Sequence, residues 1–377
     1  MVKSKSNKGD IVLSIAVCIQ YFLIILQQCL ISILHMEPES TTIYRVVLSA
    51  LPVLFAFYYI LKREFFFTLQ TYALVGFILV LHSAFFPENI EYIEQQAFRF
   101  LLPVCLPTML AMRVIHDFDV FKTVLVYVSW ATIFLLLIYM LAFLQGSFLI
   151  ESYNMSFGYG LLLPTLIMYN EKTKITFIAF IFSLFSILSL GSRGPVLIIG
   201  VYVVYDIFIN HKKYIPLLLG GVFVFMASLM PIVQYLDSIG IQSRTLHKMI
   251  SGDIDGDSGR GDLYAKVFDT VLENPILGLG VYGDRVILNG AYCHNIIVEM
   301  MVNWGIPLAI LLMLVFAFQI FEIYKRTVKE YRNILVLFLC SSMIHLFLSN
   351  SYLSDASFFA FVGLVLFYRR RFVGLKI

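Results

Sequence analysis

His294 stands in the stretch Ala291-Tyr292-Cys293-His294-Asn295, directly before a helical run from Ile296 to Trp304. A helix N-terminus and nearby arginines both disfavour an imidazolium, so this ring is expected to stay neutral and able to accept a proton near neutral pH. Those are the properties of a general base. Taken alone, a histidine that caps a helix or bonds locally is the commoner use of such a position. His82 and His345, near the ends of apolar runs, are rivals of lower rank.

A second group is cationic. Arg193 sits in Gly191-Ser192-Arg193-Gly194-Pro195, a tight connection between two apolar runs, where a fixed cation near a membrane plane is costly without a partner. Arg45 and Arg99 lie at or near the ends of two further runs. A guanidinium keeps its proton and matches phosphate oxygens bidentately, so arginines converging at one membrane surface suit a lipid-linked pyrophosphate. For Arg45 and Arg99, snorkelling to headgroups or pairing with acidic loop residues is an equal alternative.

Three other patterns fail on context. Gly278-Leu279-Gly280-Val281-Tyr282-Gly283 spells a dinucleotide fingerprint but follows a helix and Pro275 rather than a strand, and reads as a flexible turn. Asp253, Asp255 and Asp257 begin like a calcium loop, yet Ser258 replaces the sharp-turn glycine and Tyr264 the bidentate glutamate. Of the five cysteines, Cys18, Cys29, Cys105 and Cys340 belong to apolar runs and only Cys293 to a polar segment, with no disulfide or zinc spacing. No metal and no cofactor are expected.

The elements that must position these residues are membrane helices. Hydrophobic residues make up 60% of the 377 and charged residues 14%, with 35 phenylalanines, more apolar surface than a soluble interior could hide. The fold class is all-α, a polytopic membrane bundle. Long unalternating runs place about twelve spans near 11–34, 43–61, 65–86, 99–112, 119–144, 155–170, 175–191, 195–210, 213–234, 305–324, 332–350 and 355–368. The basic N-terminus (Lys3, Lys5, Lys8) before the first run resembles a signal anchor without a cleavage site, and the run reads as a retained helix.

Charge fixes the orientation. With the N-terminus inside, nineteen of the 27 lysines and arginines fall on one face, from Lys62/Arg63 through Lys212/Lys213 to Arg369/Arg370/Arg371. Both termini are then cytoplasmic and residues 235–293 lie outside, between an N-terminal bundle (1–234) and a C-terminal one (294–377). The positive charges thus mark membrane orientation, and no nucleic-acid partner is expected. Within the outer loop, Leu263, Tyr264, Val267, Phe268, Val271 and Leu272 recur at helical spacing among Lys266, Asp269, Thr270 and Glu273. They predict an amphipathic helix, ended by Pro275, lying on the outer membrane surface.

In order, Gly191-Ser192-Arg193-Gly194, Gly259-Arg260-Gly261-Asp262-Leu263-Tyr264, Glu273-Asn274-Pro275-Ile276-Leu277-Gly278-Leu279-Gly280, His294-Asn295-Ile296-Ile297-Val298-Glu299 and Trp304-Gly305-Ile306-Pro307 resemble the O-antigen polymerase and O-antigen ligase superfamily. The order and spacing of these blocks, over roughly residues 188–310, are more specific than any one of them. The resemblance implies a glycosyltransferase of the bacterial plasma membrane that works on the outer face with undecaprenyl-pyrophosphate-linked oligosaccharides. It implies that Arg193 and Arg260 engage the donor pyrophosphate and that His294 activates the acceptor hydroxyl. Arg244, in the same loop, is a further candidate to assist. A compact loop favours a polymerase over a ligase. A polymerase would work beside a flippase and a chain-length regulator. The reading from another class is a lipid-linked-sugar flippase, in which the arginines line a path; paired broken helices in two related halves would favour it, and the sequence shows no such symmetry.

Overall fold

The computed structural model describes residues 8–145, 155–190, 193–238, 246, 250 and 260–373. Every regular element among them is helical. The chain divides into two compact units, one of Met1–Gln20, Leu48–Val124 and Asp257–Ile377, the other of Tyr21–Val47 and Leu125–Gly256.

Among the described residues, five helices are long and apolar enough to cross a membrane: α1 (Lys8–Leu34), α2 (Pro38–Phe85), Phe118–Leu144, Arg193–Asn210 and Ile306–Arg326. At 1.5 Å per residue α2 would run about 72 Å, more than twice a hydrocarbon core of about 30 Å. It breaks at Glu64, whose backbone is non-helical (φ −144, ψ 60), so the 48 residues are two helices end to end. The break falls between the expected spans 43–61 and 65–86. It also follows the only strongly charged stretch of α2, Lys62-Arg63-Glu64, which apolar surroundings would not accept unpaired.

In the first unit the charged helix ends gather. Arg63 Nη1 donates to Asp10 Oδ1 at 2.6 Å and to the Val114 carbonyl at 2.7 Å. Arg113, at the end of α3 (Leu106–Arg113), donates from Nε to Glu64 Oε2 at 2.7 Å, and Arg370 pairs with the other oxygen of Glu64. His116 N–H joins Asp10 at 2.9 Å. Burial, and after it the charge of Arg63, lowers the His116 pKa. These ends carry basic groups that charge counting assigned to one face.

The second unit has a cluster of its own. Tyr169, in α5 (Met155–Glu171, after α4, Phe118–Leu144), and Asn210, at the end of α7 (Arg193–Asn210, after α6, Lys174–Leu190), both bond Asp206, at 3.1 and 2.8 Å. Asp206 is buried. Several helix hydroxyls are satisfied locally: Ser129, Thr165 and Ser183 each donate to the carbonyl four residues back, at 2.7 Å, as polar groups in lipid require. Glycine permits a close helix contact in each unit. A Cβ on Gly363 would lie 2.3 Å from the Met109 carbonyl oxygen, and one on Gly160 would lie 2.6 Å from the Ile24 side chain.

After α8 (Ile215–Ser238) the chain returns as α9 (Arg260–Glu273), a glycine-rich turn, α10 (Gly283–Ile287), α11 (Ile296–Trp304) and α12 (Ile306–Arg326). Next come α13 (Lys329–Phe338), continued by π and 3-10 turns to Phe347, and α14 (Ala356–Tyr368).

Candidate active site

The segment from α9 to α11 builds the site within the first unit. The amphipathic helix expected from sequence is α9, and its inner face is Val267 and Val271, both fully buried. They meet Cys293, Val298 and Val302, with Leu263, Tyr264 and Leu288 at the margin. So the helix that begins at Arg260 packs on the helix that begins just after His294. Of these two expected site residues, the structure brings together the elements that carry them.

The glycine-rich stretch is a turn, but a locked one, which corrects the expectation of flexibility. Gly278 and Gly280 are left-handed (φ 66 and 79), and a Cβ at either would strike the Val302 carbonyl oxygen or the Phe86 ring. Leu279 N–H donates to Val302 O at 2.6 Å, and Ile306 N–H to Pro275 O at 2.8 Å. From the end of α2, His82 Nδ1 accepts from Val281 N–H at 2.8 Å, and from the 3-10 turn Pro87–Asn89 that follows, Asn89 Nδ2 donates to Leu279 O at 2.7 Å. His82 is thereby occupied in holding the turn. His345 is buried, with Nδ1 3.4 Å from Asp355, itself the cap of α14. Both rival histidines have packing roles.

His294 is half-buried, and its backbone is left-handed (φ 54), uncommon for a residue with a side chain. Asn295 caps α11, its Oδ1 accepting from Ile297 and Val298 N–H at 2.9 and 3.4 Å. The Tyr292 ring lies 4.2 Å from the His294 ring, centroid to centroid.

A charge cluster that sequence reading missed bonds the preceding residue, Cys293, whose N–H donates to Asp284. Arg285 and its partners Asp284 and Glu299 are fully buried. Arg285 Nη1 donates to Asp284 Oδ1 at 2.5 Å and to Glu299 Oε1 at 2.6 Å, and Nη2 to Ser351 Oγ at 2.5 Å. Ser351 in turn bonds Glu299, whose other oxygen accepts from Tyr352 N–H at 3.2 Å. Tyr352 is pinned by Trp304 Nε1 at 2.7 Å and Asn303 Nδ2 at 3.0 Å. Burial alone would lower the Arg285 pKa, but Glu299 and Asp284 outweigh it and hold the guanidinium charged. Burial raises the Glu299 carboxyl above the ordinary range, against the pull of Arg285. Burial likewise raises the Cys293 thiol, which makes it an apolar filler rather than a nucleophile. The available signal was periodicity: Glu299 shares a helix face with Ile296 and Asn303 in an otherwise apolar run, so it needed a buried partner.

The other expected residues belong to other elements. Arg193 opens α7 in the second unit and is half-buried, and Arg45 is half-buried in the part of α2 that belongs to that unit. Arg99 is exposed on the π-helical stretch Ile93–Cys105 of the first unit. Arg244 and the aspartates 253, 255 and 257 lie outside the described residues, as do Gly191 and Ser192. Among the described residues no cluster of histidine, cysteine and carboxylates could hold a metal.

A comparison with curated proteins finds no match. Residues 178–313 match the family model described as O-antigen ligase (Wzy_C), a range that includes Arg193, Arg260, Arg285 and His294 and supports the superfamily of O-antigen polymerases and ligases for this chain.

Proposed function

We propose that the protein is a polymerase of undecaprenyl-pyrophosphate-linked oligosaccharide repeat units in O-antigen, capsule or exopolysaccharide synthesis. It acts as a twelve-span enzyme on the outer face of the bacterial plasma membrane. The observation that carries the reading is His294, held half-buried at the head of α11 in a segment that matches O-antigen ligases and packs on the helix begun by Arg260. In this reading His294 takes the proton of the acceptor hydroxyl as it attacks the anomeric carbon, and Arg193 and Arg260 hold the departing pyrophosphate. That is general-base plus electrostatic catalysis and requires no metal. The outer segment 235–293 would lie between the two bundles, with the exposed side of α9 on the lipid surface. A ligase that moves finished polymer to another acceptor is the second reading, favoured by the description of the matching family.

The test uses purified full-length protein in nanodiscs with a synthetic undecaprenyl-pyrophosphate-linked repeat unit and excess chelator. A ladder of products is expected, and His294→Ala should cut turnover by about 10²–10⁴-fold with donor binding retained. Near-normal ladders from His294→Ala would remove it as the base. Loss of wild-type activity in chelator, restored by calcium or magnesium, would require a cation. Transfer only to an added lipid A core acceptor would identify a ligase.

A further inference from the structure

We propose that Asp284, Arg285 and Tyr292 are positioning residues that hold the His294 ring in one orientation at the head of α11, an inference that rests on His294 being the base. The left-handed backbone of His294 is a strained state that persists only where its surroundings over-determine it. Both neighbours in sequence are tied down. Cys293 N–H donates to Asp284 Oδ2 at 3.2 Å, while Asn295 caps α11 and reaches the Phe347 carbonyl at 3.3 Å. The ring is braced as well: Tyr292 stands 4.2 Å from it, and the Arg285 guanidinium lies 5.7 Å from the Tyr292 centroid and 5.1 Å from that of Tyr282.

Arg285 cannot touch substrate, because none of its surface is exposed. Its anchors, Glu299 and Ser351, come from α11 itself and from the turn before α14. The cluster therefore ties the loop that carries His294 to the helix that His294 heads and to the C-terminal helices. A reacting group misplaced by about 1 Å can lose on the order of 10²-fold in rate, which is the advantage such bracing confers.

Tyr292→Leu removes the bracing ring from a half-exposed position and leaves the buried charges intact, whereas Tyr292→Phe keeps the ring. With the synthetic lipid-linked repeat unit, Tyr292→Leu is expected to lower kcat about ten- to hundredfold at nearly unchanged KM, and Tyr292→Phe to stay near wild type. In a His294→Ala background, Tyr292→Leu should add no further loss; an independent additional loss overturns the proposal. Hydrogen exchange gives a second arm that needs no turnover. Asp284→Ala should speed exchange of the amides of residues 292–295, and unchanged protection overturns the clamp whatever His294 does chemically. Full activity of His294→Ala would defeat the base reading while exchange still decides the clamp. The Tyr292 pair keeps the test decisive where Asp284→Ala fails to fold.

Discussion

At the scale of single residues, the two kinds of arginine make opposite demands. Arg193 begins a helix and is half-buried, and the reading as a phosphate ligand depends on its planar fork. Arg193→Lys keeps the charge and loses the fork, so it should lose most product, as read from polymer ladders in cells lacking the native gene. Wild-type ladders from Arg193→Lys, with none from Arg193→Ala, would show that charge alone suffices. Arg285 is structural, one cation between two buried carboxylates. Arg285→Met leaves both carboxylates unpaired and should cost about 3–5 kcal/mol. Glu299→Gln leaves the Arg285–Asp284 pair neutral and should cost about 1 kcal/mol. Denaturation in detergent compares the two, and equal losses would refute the account. His294 and Arg193 could be singled out as candidates because each stands at a break in an apolar run. Arg285 was not, because its meaning lies in partners 14 and 66 residues away.

At the scale of elements, hydropathy was informative where helices are apolar throughout and less so where an element serves two surfaces. The period of α9 was plain in the sequence, but its apolar residues divide. Val267 and Val271 turn inward, whereas Phe268 and Leu272 are 42% and 66% exposed, and Ile276 and Leu277 beyond them are exposed as well. Lys266, Asp269 and Glu273 form the remaining, polar side. The outward apolar side continues to the turn that bonds Ile306, the first residue of the apolar helix α12. That geometry suits a helix resting on lipid. A fluorophore on a cysteine at position 272 should be quenched by spin-labelled lipids, and one at position 269 by a soluble quencher. Soluble quenching at both would take the helix off the membrane. Gly305 is the hinge of this arrangement, at φ 76 with the Ile276 carbonyl 2.0 Å from a Cβ built there. Gly305→Ala should therefore destabilise by at least about 2 kcal/mol, since no flexible side chain can give way. The locked turn it faces could not be read from the glycines alone, because sequence shows conformational freedom and not the neighbours that remove it.

At the scale of the whole molecule, the orientation in the membrane rests on charge. In the first unit the N-terminal end of α1, the break in α2, the end of α3 and the C-terminal arginines meet through Asp10, Arg63, Glu64, Arg113 and Arg370. Lys122 pairs with Glu330, and the rings of Phe118, Tyr331 and Phe367 stack there. These are ends that parity of spans assigns to a single face, and in bacterial membranes a face rich in lysine and arginine is the cytoplasmic one. Residues near Lys329 should then be inside and residues near Asp255 outside. All five native cysteines are free and buried, so their replacement by alanine or serine gives a background without reactive thiols. Single cysteines at positions 255 and 329, treated in intact cells with an impermeant thiol reagent, should label at 255 only, and at 329 only after the membrane is opened. Labelling at 329 and not at 255 would invert the protein. It would place His294, 35 residues before Lys329 and separated from it by α12, the helix between them that is long and apolar enough to cross a membrane, on the cytoplasmic side, where the donor of the proposed reaction, once flipped outward, could not reach it.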